Sequence, residues 1–338
     1  MALGKGNGRF GPWLGTLASY NPSIVSVGRF DGKNLDAVVN DDAYLNPLVM
    51  LGAGDGYFPN TASLSSDNNY VGGFAVGDFD DDHNDDLAAV VQLSPSGQEV
   101  YLYLSNGDGT FQAPRRFKAG GGSRYSSIVA GDFNNDGKLD LAVLNDTPRS
   151  YGGSIAVLLG DGKGGFAPPL FYAITNLRNG AFPSALAAGD FNGDKNLDLA
   201  VALSNYSTNK SSYVQVLLGN GNGTFRKGVR APAGTDPFSI AAADFNGDGN
   251  LDLVVTNVPI GRAPQTISVL LGNGDGTFQS PASFPVLGVK PVQLTVADFN
   301  GDGKPDVATT NEGNSSVSVL LNTTPFPSHP IHRRELSH

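Results

Sequence analysis

The feature that most limits what this chain can become is a repeat. The string DFNGDGNLDL, beginning at Asp244, returns as DFNGDGKPDV from Asp298 and DFNGDKNLDL from Asp190. It also appears as DFNNDGKLDL from Asp132 and DFDDDHNDDL from Asp78. Successive copies lie 54, 58, 54 and 54 residues apart. A sixth, altered copy, RFDGKNLDAV from Arg29, stands 49 residues before Asp78. Self-similarity at a fixed period describes one supersecondary unit, stacked because it cannot bury its apolar face alone.

A second signature follows each of the first five copies: VMLGAGDGYF (49–58), LYLSNGDGTF (102–111), VLLGDGKGGF (157–166), VLLGNGNGTF (216–225) and VLLGNGDGTF (269–278). Apolar residues around Asn-Gly or Asp-Gly pairs mark a β-hairpin, because such turns need positive φ. A nucleotide-binding glycine loop would need a following helix, and no helical pattern follows.

Each repeat reads as four strands. In the third copy they cover 126–133, 139–145, 153–160 and 165–173. The middle two are almost continuously apolar, as expected for strands covered on both faces, and proline in the fourth suits an outer edge. Four-stranded units at this spacing predict an all-β fold, a β-propeller of antiparallel blades. The chain opens on the tail of a repeat, LGKGNGRF (3–10), and closes on the front of one, SSVSVLLN (315–322). This predicts six blades in one domain over 1–324, with the N-terminal strand completing the C-terminal blade. Residues 325–338 read as a disordered tail.

Composition agrees with short strands and tight turns. Glycine contributes 45 of 338 residues, about twice its usual share of roughly 7%, while aliphatic residues remain plentiful. The formal charge of −10 argues against nucleic acid or an anionic membrane as the main partner. Cysteine is absent, so stability rests on a core or on bound ions. The first residues lack the apolar stretch of a signal peptide, which implies either a cytosolic chain or an earlier-removed leader.

In the strict copies, oxygen-bearing side chains stand at loop positions 1, 3, 5 and 9. Position 7 offers a backbone carbonyl, and glycine at position 6 permits the sharp turn of an EF-hand-type calcium loop. The candidate ligands are Asp78, Asp80, Asp82, Asn84 and Asp86 in the first intact copy, then Asp132, Asn134, Asp136, Lys138 and Asp140. The later copies offer Asp190, Asn192, Asp194, Asn196 and Asp198, then Asp244, Asn246, Asp248, Asn250 and Asp252, and finally Asp298, Asn300, Asp302, Lys304 and Asp306. A set of hard oxygen donors selects calcium over zinc or copper. The alternative is that these acids only decorate solvated turns, which equal spacing in five copies argues against. Five divalent ions would offset the formal charge of −10. Two copies depart from the pattern: Lys195 and His83 occupy the turn-glycine position. The loop from Asp78 adds Asp81 and Asp85 and should depend most on calcium. The altered copy has Arg29 in place of the first aspartate and a turn one residue shorter. It reads as a loop without an ion, with the Arg29 guanidinium neutralising Asp31 and Asp36.

These two signatures together resemble the FG-GAP or VCBS repeat of integrin α-subunit propellers, lectins and bacterial surface proteins. The resemblance implies calcium in the 1–2 loop of each intact blade, about five sites in all.

Loops between strands 2 and 3 and between strands 4 and 1 share the face opposite the calcium loops, and they vary from copy to copy. Variable loops on a rigid scaffold are where binding specificity usually resides. They hold Tyr20, Tyr70, Arg124, Tyr125, Tyr151, Arg178, Tyr206 and Tyr213, a set suited to carbohydrate or peptide. Each tyrosine can equally pin a loop or cap a blade. No nucleophile elbow, zinc helix motif or phosphate loop is present, so an enzyme is not expected. The expected function is a calcium-binding adhesion or lectin-like module working outside the cell, at its surface or in the periplasm. A polysaccharide lyase or hydrolase on the same scaffold, or a structural spacer of a larger surface protein, is the alternative.

Overall fold

A computed structural model describes residues 2–4, 10–13, 22–41, 46–93, 97–121, 127–147, 152–174, 182–204, 212–259 and 264–325. The fold is an all-β six-bladed propeller in which each sheet is antiparallel and its strands follow chain order. Blade 1 comprises β3 (Pro22–Gly28), β4 (Asp36–Asp41), β5 (Leu48–Leu51) and β6 (Asn60–Ser63), after a short hairpin of β1 (Ala2–Gly4) and β2 (Phe10–Trp13). Blade 2 holds β7 (Tyr70–Gly77), β8 (Asp86–Leu93), β9 (Gly97–Tyr103) and β10 (Arg115–Gly120). Blade 3 holds β11 (Ile128–Gly131), β12 (Asp140–Thr147), β13 (Gly152–Leu158) and β14 (Leu170–Ile174). Blade 4 holds β15 (Phe182–Gly189), β16 (Asp198–Ser204), β17 (Tyr213–Gly219) and β18 (Phe225–Pro232). Blade 5 holds β19 (Pro237–Ala243), β20 (Asp252–Asn257), β21 (Thr266–Leu270) and β22 (Ala282–Pro285). Blade 6 has three strands among the described residues, β23 (Pro291–Ala297), β24 (Asp306–Asn311) and β25 (Ser316–Leu320).

The second strands bury both faces. Every residue of β16 and of β20 is buried, which accounts for their unbroken apolar sequence. Fourth strands are the wettest: β22 is exposed along its length. In blade 3 the prolines at 168 and 169 precede β14 instead of interrupting it, so the missing donors cost no ladder bonds.

The expected closure takes a different form. β1 and β2 pair with each other, Gly4 opposite Phe10, in a two-stranded sheet of their own. Among the described residues neither strand is hydrogen-bonded to β25, so the predicted completion of the last blade by the N-terminal strand is not what the sheet pairing shows. The reason is local: β1 and β2 are close neighbours along the chain, so each is the nearest partner for the other. The predicted tail lies outside the described residues except for its first position.

The two signatures meet across the seams. The loop phenylalanine of one blade packs against the hairpin phenylalanine of the next: Phe30 with Phe111, Phe79 with Phe166, Phe133 with Phe225 and Phe191 with Phe278, at centroid distances of 5.2 to 5.9 Å. All four loop phenylalanines are buried, and tilted or edge-on rings at this range add attraction beyond their apolar area. Among the described residues no helix is long and apolar enough to cross a membrane.

Candidate metal centre

The 1–2 loops are built from the inside out. The aspartate that starts the second strand, ninth in the five intact loops and eighth in the shorter loop of blade 1, is buried in all six blades. One of its oxygens accepts the N–H of the loop phenylalanine, and the other accepts the first N–H of the 3–4 turn. For Asp140 the donors are Phe133 at 2.9 Å and Gly160 at 2.7 Å. Asp198, Asp252 and Asp306 repeat this with Phe191 and Gly219, Phe245 and Gly272, Phe299 and Asn322. The turn comes so close that a Cβ on Gly160 would lie 2.1 Å from the Leu139 carbonyl oxygen, hence the glycine. Burial pushes Asp140, Asp198 and Asp252 up to about 6 and Asp86 up to about 7, with nearby loop acids adding and the two N–H donors opposing.

Blade 1 separates this clamp from the rest of the loop. Asp36 accepts Phe30 N–H at 2.7 Å, Asp31 N–H at 3.2 Å and Gly52 N–H at 2.8 Å, although the first aspartate is missing. The expectation that the Arg29 guanidinium neutralises Asp31 and Asp36 is corrected. Lys33 lies 3.9 Å from Asp31, backbone donors satisfy Asp36, and Arg29 forms no ion pair among the described residues.

The first aspartate orders the turn itself. Its Oδ2 accepts the N–H at position 6 in all five intact loops, from His83, Gly137, Lys195, Gly249 and Gly303, at 2.7 to 2.8 Å. His83 and Lys195 both adopt φ of 70°, in the same left-handed region as Gly137 at 81° and Gly249 at 88°. The glycine substitutions therefore preserve the loop path and place a side chain in a strained conformation. The fifth residues Asp82, Asp136, Asp194, Asp248 and Asp302 accept the N–H of Asn84, Lys138, Asn196, Asn250 and Lys304, whose carbonyls the sequence offered as ligands.

Position 3 distinguishes the loop of blade 2. Asn134, Asn192, Asn246 and Asn300 each accept the N–H two residues on, at 2.8 to 2.9 Å. In that place Asp80 has a buried Oδ1 with no hydrogen-bond partner. Asp78, Asp80 and Asp86 bring one carboxylate oxygen each within 4.8 Å of one another. Burial, then Asp82 and Asp78, raise the Asp80 carboxyl above its ordinary range, opposed by the Asp82 backbone N–H and by Arg115. A buried, unpartnered oxygen among converging carboxylates fits a hard cation, and the all-oxygen donor set excludes a thiophilic one. Sequence singled out this loop for its extra acids Asp81 and Asp85, but not for the orphaned oxygen of Asp80.

Of the residues expected on the opposite face, Tyr213 is described as half-buried with the Arg230 guanidinium 4.3 Å from its ring centroid, a packing role. Tyr70 is half-buried at the start of β7. Tyr20, Arg124, Tyr125, Tyr151, Arg178 and Tyr206 lie outside the described residues.

Residues 89–143, 202–255 and 259–309 match a family described as FG-GAP-like repeat. The first two matches run from the second strand of one blade into the second strand of the next, and the third starts just after the second strand of blade 5 and ends in that of blade 6, so the sequence repeat is offset from the structural blade. A T-cell immunomodulatory protein homolog from Plasmodium yoelii yoelii is 30% identical over 135 residues, which cover 37% of this chain and 19% of that protein. A chain of the Photorhabdus luminescens Tc holotoxin pore aligns with 92% of this chain and 14% of its own length, at 15% identity and a TM-score of 0.46. Three stretches of the chain thus match the FG-GAP-like repeat that its two sequence signatures resemble.

Proposed function

We propose that this propeller is a binding module whose 1–2 loops hold calcium and whose opposite face, formed by the 2–3 and 4–1 loops, engages carbohydrate or protein. The observation that carries the calcium reading is the buried, unpartnered Asp80 Oδ1 beside Asp78 and Asp86. Asp78, Asp80, Asp82 and Asp86 with the Asn84 carbonyl would hold the ion there, and the four other intact loops offer the same positions. The ion would neutralise the converging carboxylates and cross-link the turn, so its contribution is structural. Loops of this kind fill most readily at millimolar calcium, which favours work outside the cell or at its surface. The variable face is the better candidate for recognition, because the opposite edge is occupied by clamps common to every blade.

The calcium reading is tested by thermal melting in calcium and in chelator. A raised midpoint in calcium supports it, and an unchanged one overturns it, because an ion that binds only the folded chain must stabilise it. Recognition is tested on a glycan array in calcium buffer, where no binding moves the reading to protein partners or to a structural spacer.

A further inference from the structure

Position 4 of the 1–2 loop lies in the left-handed region in all six blades. Four blades place glycine there: Gly32, Gly193, Gly247 and Gly301, at φ of 68° to 79°. Blades 2 and 3 place Asp81 and Asn135 instead, at 61° and 59°. Asp and Asn tolerate that region better than other side chains, yet glycine takes it without steric cost. The turn itself therefore needs no side chain at this point. What Asp81 and Asn135 share is a reach across the seam to the following blade.

Asn135 Nδ2 donates to Asn196 Oδ1 of blade 4 at 2.7 Å, across 61 residues of chain. The two amides meet over the 3–4 turn of blade 4, where a Cβ on Gly221 would touch both, Asn135 Nδ2 at 2.6 Å. Asp81 is placed in the same way one seam earlier. A Cβ on Gly162 would meet Asp81 Oδ2 at 3.0 Å and the Lys138 side chain at 3.1 Å. Asn196 and Lys138 both hold position 7 of their loops. Toward blades 5 and 6 the reaching residue is Gly193 or Gly247, and glycine has no side chain with which to make the bridge.

Position 7 is the one whose backbone carbonyl the calcium loop offers as a ligand. The Asn196 N–H also donates to Asp194, another candidate ligand, at 2.9 Å. Asn135 stands between Asn134 and Asp136, two candidate ligands of its own loop. The bridge thus joins the ligand positions of one blade to those of the next. An ion that orders either loop fixes one end of the bridge and lowers the entropy cost of ordering the other loop.

We propose that Asn135 is a positioning residue that couples the ion sites of blades 3 and 4, so that filling either one raises the affinity of the other. The inference rests on the calcium reading given above. Coupling between two binding sites is reciprocal, so a blade 3 site that loses its ion weakens the blade 4 site by the same factor. The blade 5 site, approached by Gly193, stands outside the coupled pair.

The test follows hydrogen exchange of the full chain across a calcium titration, read separately over 132–140, 190–198 and 244–252, so that each loop has its own midpoint. Asp132→Asn combined with Asp136→Asn strips two ligand carboxylates from blade 3 while leaving an acceptor oxygen at each position. The pair should move the blade 4 midpoint to calcium about fivefold higher or more, and leave the blade 5 midpoint in place. In an Asn135→Gly background, which suits φ of 59°, the same pair should leave the blade 4 midpoint unmoved. Protection of the blade 4 and 5 loops by calcium, with a blade 4 midpoint indifferent to the pair, overturns the coupling and leaves the calcium reading standing. So does a shift that survives Asn135→Gly, or one that reaches blade 5 equally. No protection by calcium in any loop of the unmodified chain overturns the calcium reading and the coupling together.

Discussion

The backbone N–H of Arg29 donates to the Asp85 carboxylate of the next blade at 2.7 Å. Both residues depart from their repeats: Arg29 stands where the other five copies have the first loop aspartate, and Asp85 stands where Leu139, Leu197 and Leu251 fill later seams. The altered first loop is thus tied to the acid-rich second one. Replacing Asp85 by alanine should lower stability by about 0.5–1.5 kcal/mol, the usual worth of one such bond. Urea denaturation of the variant beside Leu139→Ala, in a later seam, checks this. An unchanged Asp85→Ala midpoint would mean that the bond contributes nothing.

The buried clamp aspartates should matter with or without metal. Asp36→Ala strands the N–H groups of Phe30 and Gly52, and Asp140→Ala those of Phe133 and Gly160. Each should cost roughly 2–4 kcal/mol in chelator, because two buried donors lose their acceptor. Asp36→Ala should leave calcium stoichiometry unchanged by titration calorimetry, since its loop lacks the first ligand.

His83 and Lys195 should be stabilised by reversion to glycine. Both sit at φ of 70°, where a side chain costs roughly 1–2 kcal/mol, while glycine gives back part of that through its greater freedom when unfolded. A net gain of up to about 1 kcal/mol is expected from Lys195→Gly, read from thermal or urea melts.

Stability without metal should fall as pH rises. Asp140, Asp198 and Asp252 are raised to about 6 and Asp86 to about 7, above their ordinary value of 3.8. Between these limits the folded chain binds more protons than the unfolded one, so stability is full below the unfolded value and is lost on the way up to about 7. Urea midpoints in chelator at about pH 4.5, 6 and 7.5 should descend in that order. Calcium, which favours the ionised carboxylates, should reverse the trend.

Sequence alone determined the periodicity, the strand order within each blade and the chemistry of the turns. A glycine with positive φ, an aspartate next to it and a run of aliphatic residues are local requirements, and locality is what a sequence displays directly. It could not show that the ninth aspartate clamps two loops some twenty residues apart, or that the two phenylalanine signatures meet across blades. Nor could it show that Asp80 alone among the third-position residues keeps a buried oxygen unpaired. Nor could it show that, among the described residues, the two N-terminal strands pair with each other, because strand complementarity does not say which partner is nearer. Those outcomes rest on contacts distant along the chain, which only tertiary packing decides, and they set apart two of the six related loops: one whose third-position oxygen is buried and unpaired, and one that keeps its clamp without the first aspartate.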